Sequence, residues 1–171
     1  MKTAKRSAFL QQLHARFPFH FDNRSSIDAL PSERDFRRWA WQAVKNEYRR
    51  AEISLILLDE DEARAYNRDF RQKDYATNVL SFALNEGESW LDTENEVLSG
   101  DLIICPQVVL REAAEQGKTA DAHFAHLTLH GTLHLMGYDH LDDDEAEIME
   151  ALEIKLMNQL GYANPYSQDE H

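Results

Sequence analysis

The residues best suited to chemistry lie in one stretch, His130-Gly-Thr-Leu-His134-Leu-Met-Gly137-Tyr-Asp-His140. Two histidines four apart on a helix point the same way, separated by about one turn and roughly 6 Å of rise. Gly137 stands where a helix can end in a left-handed cap, and the returning chain then brings His140 toward the pair from another side. Three imidazoles converging on one point suit a catalytic Zn2+ ion, which takes three nitrogen donors at about 2.0–2.1 Å and keeps a fourth position for water or substrate.

The neighbours of this triad admit competing readings. His-x3-His-x2-Gly-x2-His is the ligand spacing of the metzincin peptidases, in which a glutamate follows the first histidine and serves as general base. Here that position is Gly131, so peptide hydrolysis loses its best-placed proton acceptor. A mid-helix glycine costs about 1 kcal/mol relative to alanine; it either keeps space open beside the metal or lets another element approach closely. His123 and His126 fall near the same helix face, at spacings of 3, 4 and 4. A fourth ligand from His126 would close the site and make it structural, but it sits a full turn below the pair. His126 reads better as a partner of a ligand or of substrate, and as one candidate general base. Asp139 could orient an imidazole or cap the next turn, and Asp142 to Glu145 form the acidic first turn of a helix.

The elements that must position these groups fit one domain. A chain of 171 residues with 43 % hydrophobic content is long enough for one core, and no apolar run approaches the roughly 20 residues of a membrane span. The basic N-terminus lacks the apolar run of a secretory signal, and a single cysteine, Cys105, precludes an intramolecular disulfide, so a cytoplasmic location is expected. The net charge of −13 looks wrong for a nucleic-acid protein, yet residues 1–50 carry a local +6 and residues 51–171 carry −19. That asymmetry leaves room for a positive cleft on an acidic protein.

Along the chain, residues 1–15 form an extension with little apolar grip. Phe17, Phe19 and Phe21 alternate as in a half-buried strand, with Pro18 marking its start or an edge. Ser32 caps an amphipathic helix that buries Phe36, Trp39, Ala40, Ala43 and Val44. Residues 52–58 make an interior strand, and 59–70 a helix with Ala63, Tyr66, Asn67 and Phe70 on one face. Arg64, Arg68 and Arg71 form a stripe that reads first as a solvated face. Strands follow over 77–84 and 100–105, divided by an acidic loop, then helices over 107–117 and 119–136. The second of these is apolar around its whole circumference, so it is central and buried. A last helix follows Asp142, with Ile148, Met149, Leu152, Ile154, Leu156 and Leu160 as its apolar positions, and 164–171 reads as a flexible tail. The order β-α-β-α-β-β-α-α-α gives an α+β fold, a single domain over 16–163 with a mixed sheet of about four strands and the metal-bearing helix in its interior.

His130-Gly-x-Leu-His134-Leu-x-Gly-Tyr-Asp-His140 resembles the signature of the YbeY endoribonucleases. The resemblance extends to Asn67-Arg-Asp-Phe-Arg71-Gln-Lys-Asp74, Thr77-Asn-Val-Leu-Ser-Phe82, Gly100-Asp-Leu-Ile-Ile104 and the acidic helix after the histidines, covering roughly residues 50 to 155. It implies that His130, His134 and His140 bind zinc, and that Arg71 acts in the cleft, where a guanidinium can fork onto the phosphorane oxygens of phosphodiester cleavage. Lys73 adds charge nearby or is solvated. The implied activity is metal-dependent, single-strand-specific RNA cleavage in maturation of the small-subunit rRNA 3′ end and in ribosome quality control. The implied partners are ribosomal RNA, the small ribosomal subunit, a ribosomal protein and the GTPase Era, with no membrane. The general base is open between metal-activated water, an activated 2′-hydroxyl and His126. A metallohydrolase of another substrate such as peptides, or a non-catalytic assembly factor with structural zinc, is the alternative.

Overall fold

The computed structural model describes residues 15–84 and 97–167. The expected N-terminal extension, except its last residue, and most of the acidic loop before Ser99 lie outside them. The elements run β1 (Phe19–Asn23), α1 (Glu33–Val44), β2 (Arg50–Leu57), α2 (Glu60–Arg71), β3 (Val79–Ala83), β4 (Val97–Ile104), α3 (Pro106–Glu115), α4 (Ala120–Leu135) and α5 (Asp143–Gln159). The four strands form one mixed sheet in the order β1-β2-β4-β3, in which only β3 runs antiparallel to its neighbour. The expected α+β domain is the observed one, down to the order of elements.

Side-chain alternation assigns the two faces. Ala51, Ile53, Leu55 and Leu57 of β2 join Leu98, Leu102 and Ile104 of β4 in the main core, with Phe36 and Trp39 of α1, Phe124, Leu129 and Leu133 of α4, and Met149 and Leu156 of α5. The opposite face holds a smaller cluster of Leu58, Ala63, Leu80, Ile103 and Cys105, covered by α2. α4 packs against α1, α3, α5, β3 and β4, so the helix that carries the histidines is the hub of the domain.

Three departures from the sequence reading matter. Ile148 is 60 % exposed, because the buried face of α5 is Met149, Glu153, Leu156 and Met157. Phe70 is 63 % exposed, stacking on Tyr66 and meeting Phe82 edge to face on the surface. Residues 164–167, assigned by sequence to a flexible tail, fold back onto the domain: Pro165 is buried and its carbonyl accepts from Lys118 Nζ at 2.6 Å.

Asp59, at the entrance to α2, does not cap that helix with its side chain. Its carboxylate accepts instead from Gln107 Nε2 at 2.6 Å, from Ser25 Oγ at 2.8 Å and from the Ser26 amide at 3.1 Å, tying two loops to the end of β2. Those donors lower its pKa from the usual 3.8 to about 2. A carboxylate with a depressed folded pKa stabilises the fold above its unfolded pKa and loses that contribution as pH falls through the folded one. Asp59→Asn is therefore expected to destabilise the protein at pH 7 by about 1 kcal/mol, and by less as pH falls from about 4 to 2. Urea unfolding of parent and variant at several pH values measures the difference, and a pH-independent gap would refute the assignment.

Candidate metal centre

Thr119 caps α4, its side chain accepting from the Ala122 amide, and the helix ends in a Schellman turn. The Tyr138 amide donates to the Leu133 carbonyl and the Gly137 amide to the His134 carbonyl, both at 3.1 Å, with Gly137 at φ +98°. This left-handed residue turns the chain back across the helix end. Tyr138 then pins the returning segment to the end of α1, donating its hydroxyl to Glu47 Oε1 at 2.5 Å, a bond that pushes the phenol up to about 12. The His140 amide is held by Asp139 Oδ1 at 2.8 Å. The ring-nitrogen ligand atoms of His130, His134 and His140 come within 4.8 Å of one another, a group that could hold a metal ion.

The hydrogen bonds behind the rings fix what they present. His130 Nδ1 donates to Glu153 Oε1 at 2.7 Å, and His134 Nδ1 donates to the Tyr138 carbonyl at 3.0 Å. Both Nδ1 atoms thus carry the proton, and both Nε2 lone pairs face the same point, 3.1 Å apart. Two lone pairs this close repel unless a cation lies between them. Two nitrogens at about 2.0–2.1 Å from a tetrahedral zinc sit roughly 3.3 Å apart, so the pair fits such an ion with little adjustment. Burial above all lowers the pKa of His134, which keeps it a neutral donor.

Glu153 is the residue that sequence reasoning missed. It is 1 % exposed and also accepts from His126 Nε2 at 2.5 Å and from the Tyr166 hydroxyl. Burial opposes its charge, yet bonds from His126 and His130 outweigh that and hold the carboxyl well below the usual carboxylate range. Its signal was present in the sequence as an acid on the apolar face of a helix, between Met149 and Leu156. Such outer partners orient metal ligands, so Glu153→Gln is expected to weaken zinc affinity about tenfold to a hundredfold. Calorimetric titration of the metal-free protein measures this; unchanged affinity would reduce Glu153 to a packing role.

His126 is brought to the same carboxylate but not to the histidine cluster. It is 8 % exposed, and burial lowers its pKa. Arg71, at the end of α2, lines the same cleft as the three histidines, about 580 Å³ in volume. Its Nη2 donates to the Ser81 carbonyl at 2.8 Å, and its guanidinium lies 5.2 Å from the Phe82 ring centre. The expected arginine stripe is divided: Arg64 forks onto Asp74 beyond the helix, Arg68 pairs with its helical neighbour Asp69, and Arg71 turns to the strand. Lys73 and Tyr75 line the cleft too, on a loop pinned by Asn67 Nδ2 donating to the Tyr75 carbonyl.

Gly131 resolves in favour of close approach. A Cβ there would come 2.9 Å from Val79 Cγ2 and 3.0 Å from Leu102 Cδ2, and the Gly131 carbonyl accepts from Ser81 Oγ at 2.9 Å. β3 therefore lies directly on the histidine helix, which brings Arg71 with it.

The family model described as Endoribonuclease YbeY matches residues 20–161. The chain belongs to the YbeY endoribonuclease family. It is 69 % identical over 169 residues to the Endoribonuclease YbeY of Neisseria meningitidis serogroup B, covering 99 % of this chain and 100 % of that one. It is 49 % identical over 169 residues to the Endoribonuclease YbeY of Chromobacterium violaceum, covering 99 % of each. The solution structure of TM1509 from Thermotoga maritima shares the fold, with a TM-score of 0.58 at 24 % identity over 89 % of this chain and 91 % of that one. The chain is thus a YbeY-type endoribonuclease, whose histidine cluster is consistent with metal dependence. Among the described residues no helix is long and apolar enough to cross a membrane.

Proposed function

We propose that this protein is a zinc-dependent, single-strand-specific endoribonuclease that matures the 3′ end of small-subunit rRNA and takes part in ribosome quality control. His130, His134 and His140 hold the ion, and the chain acts in the cytoplasm on the small ribosomal subunit, with a ribosomal protein and the GTPase Era as partners. Residues 16–163 form the catalytic domain, onto which residues 164–167 fold back. The observation that carries the reading is that a three-imidazole centre shares one cleft with Arg71 and Lys73. When bound, the ion supplies a Lewis acid and lowers the pKa of a coordinated water. Arg71 binds the phosphate oxygens and stabilises the charge that builds on them. Lys73 adds attraction for the backbone, and Tyr75, 54 % exposed at the same cleft, offers a ring on which an unpaired base stacks. His126 acts through Glu153, keeping the His130 ring in its donor tautomer.

The packing at Gly131 supports RNA over peptide, since β3 occupies the space a metzincin glutamate would need. Incubation of the purified protein with single-stranded RNA, the corresponding duplex and casein under identical conditions tests the reading. Cleavage of the single strand alone is expected; proteolysis without RNA cleavage would overturn it. A zinc with four protein ligands and no exchangeable water would favour a structural role instead.

A further inference from the structure

A second cavity of about 330 Å³ lies beside the metal cleft, and both have His130 and Asn78 in their walls. His123 and His126 of α4, Glu112 of α3 and Tyr166 also line it. His123 is 3 % exposed, yet neither of its ring nitrogens has a hydrogen-bond partner, and Nδ1 of His126 is equally buried and unpaired. Glu112 Oε2 faces His123 Nε2 at 3.8 Å, an ion-pair contact longer than a hydrogen bond. Buried polar atoms are ordinarily paired, so two ring nitrogens without a partner, Nδ1 of His123 and Nδ1 of His126, on residues that line one cavity point to a ligand that supplies the partners.

The shape and chemistry of the walls narrow that ligand. Among the described residues only His130, His134 and His140 group closely enough to hold a metal, so the cavity is not a second metal centre. The His126 and Tyr166 rings meet edge to face at 5.3 Å, and Leu127 and Pro165 add apolar surface, which suits a flat heteroaromatic ring. Asn78 Nδ2 donates to both oxygens of Glu112, at 2.9 and 3.2 Å, and Asn78 Oδ1 accepts from the Val79 amide at 2.6 Å. The carboxylate is thereby fixed as an acceptor in the wall. An immobilised carboxylate accepts well from an exocyclic amine, whereas uracil offers it only the N3–H, flanked by two carbonyl oxygens that the carboxylate repels.

We propose that this cavity is the subsite for a nucleobase next to the scissile phosphate, and that Glu112 selects a base bearing an exocyclic amine over uracil. The position relative to the phosphate rests on the endoribonuclease reading; the binding of a base does not. CMP and UMP titrated into the metal-free full chain, with the His123 and His126 ring signals followed by NMR, test the binding. CMP should shift both rings and bind about tenfold more tightly than UMP. Glu112→Ala should bring the two affinities together; Glu112→Gln, which keeps the shape, should narrow the ratio to about threefold or less and serves if the alanine variant fails to fold. On single-stranded oligoribonucleotides differing at one nucleotide, kcat/KM should favour an amine-bearing neighbour about tenfold, and Glu112→Ala should level that preference. Equal binding of CMP and UMP, or shifts confined to the main cleft, would overturn the subsite. Base binding at His123 by a protein that cleaves no RNA would support the subsite and overturn the nuclease reading.

Discussion

His134→Ala is expected to strip the protein of its tightly bound metal and to lower RNA cleavage by about a thousandfold or more while the fold persists. The triad becomes two donors, one of them on the exposed turn after Gly137, too few to hold a metal ion tightly. Folding tolerates the change because His134 is only half buried and lies in the last turn of α4, where alanine is a better helix former. The Tyr138 carbonyl it leaves behind can turn to water, and the Schellman bonds that position the turn are made by backbone groups. Elemental analysis after gel filtration gives metal per chain, thermal unfolding reports the fold, and a labelled oligoribonucleotide reports cleavage. The parent stripped by a chelator should behave like the variant, and added zinc should restore the parent alone. A variant that retains one equivalent of metal and cleaves like the parent would remove the triad from function.

Much of this centre was legible because it is local. His130, His134, Gly137 and His140 lie within eleven residues, so helix geometry and one left-handed cap suffice to bring them together. The burial of α4 was equally plain, since an all-round apolar helix has only the interior to occupy. What escaped depends on tertiary neighbours. Glu153 is one of 31 acids in the chain, and only the phase of α5 distinguishes it. The apolar positions of that helix admit two phases, one burying Ile148 and the other Glu153, and the second prevails because His126, His130 and Tyr166 satisfy the carboxylate. The same limit applies to the arginine stripe: helical spacing places three cations on one face, but Asp74 and the β3 backbone, both beyond the helix, decide where Arg64 and Arg71 point. Residues 164–167 read as tail because short polar segments carry no periodicity, yet Tyr166 reaches the buried carboxylate.

That dependence on β3 places Arg71 in the wall of the histidine cleft. Arg71→Ala is expected to lower kcat/KM for RNA about a hundredfold with metal content unchanged, most of the loss falling on kcat. The guanidinium is not part of the histidine cluster, so metal binding there should not need it. It lies on the same cleft wall with one N–H on the Ser81 carbonyl and its plane near Phe82, a bracing that spends one of five donors and holds the fork in place. Charge on the phosphate oxygens grows toward the transition state, so a pre-set guanidinium gains more there than in the ground state. Arg71→Lys keeps the charge but not the planar fork, and is expected to recover only part of the loss. A merely structural Arg71 would give a different pattern: the loss would follow thermal stability, and lysine, which can still donate to Ser81, would restore it. Because the side chain is exposed, its bond to β3 is worth about 1 kcal/mol at most, too little to unfold the cleft. A kcat equal to the parent's with only KM raised, and raised less at high salt, would recast Arg71 as a contact that binds RNA without stabilising its cleavage.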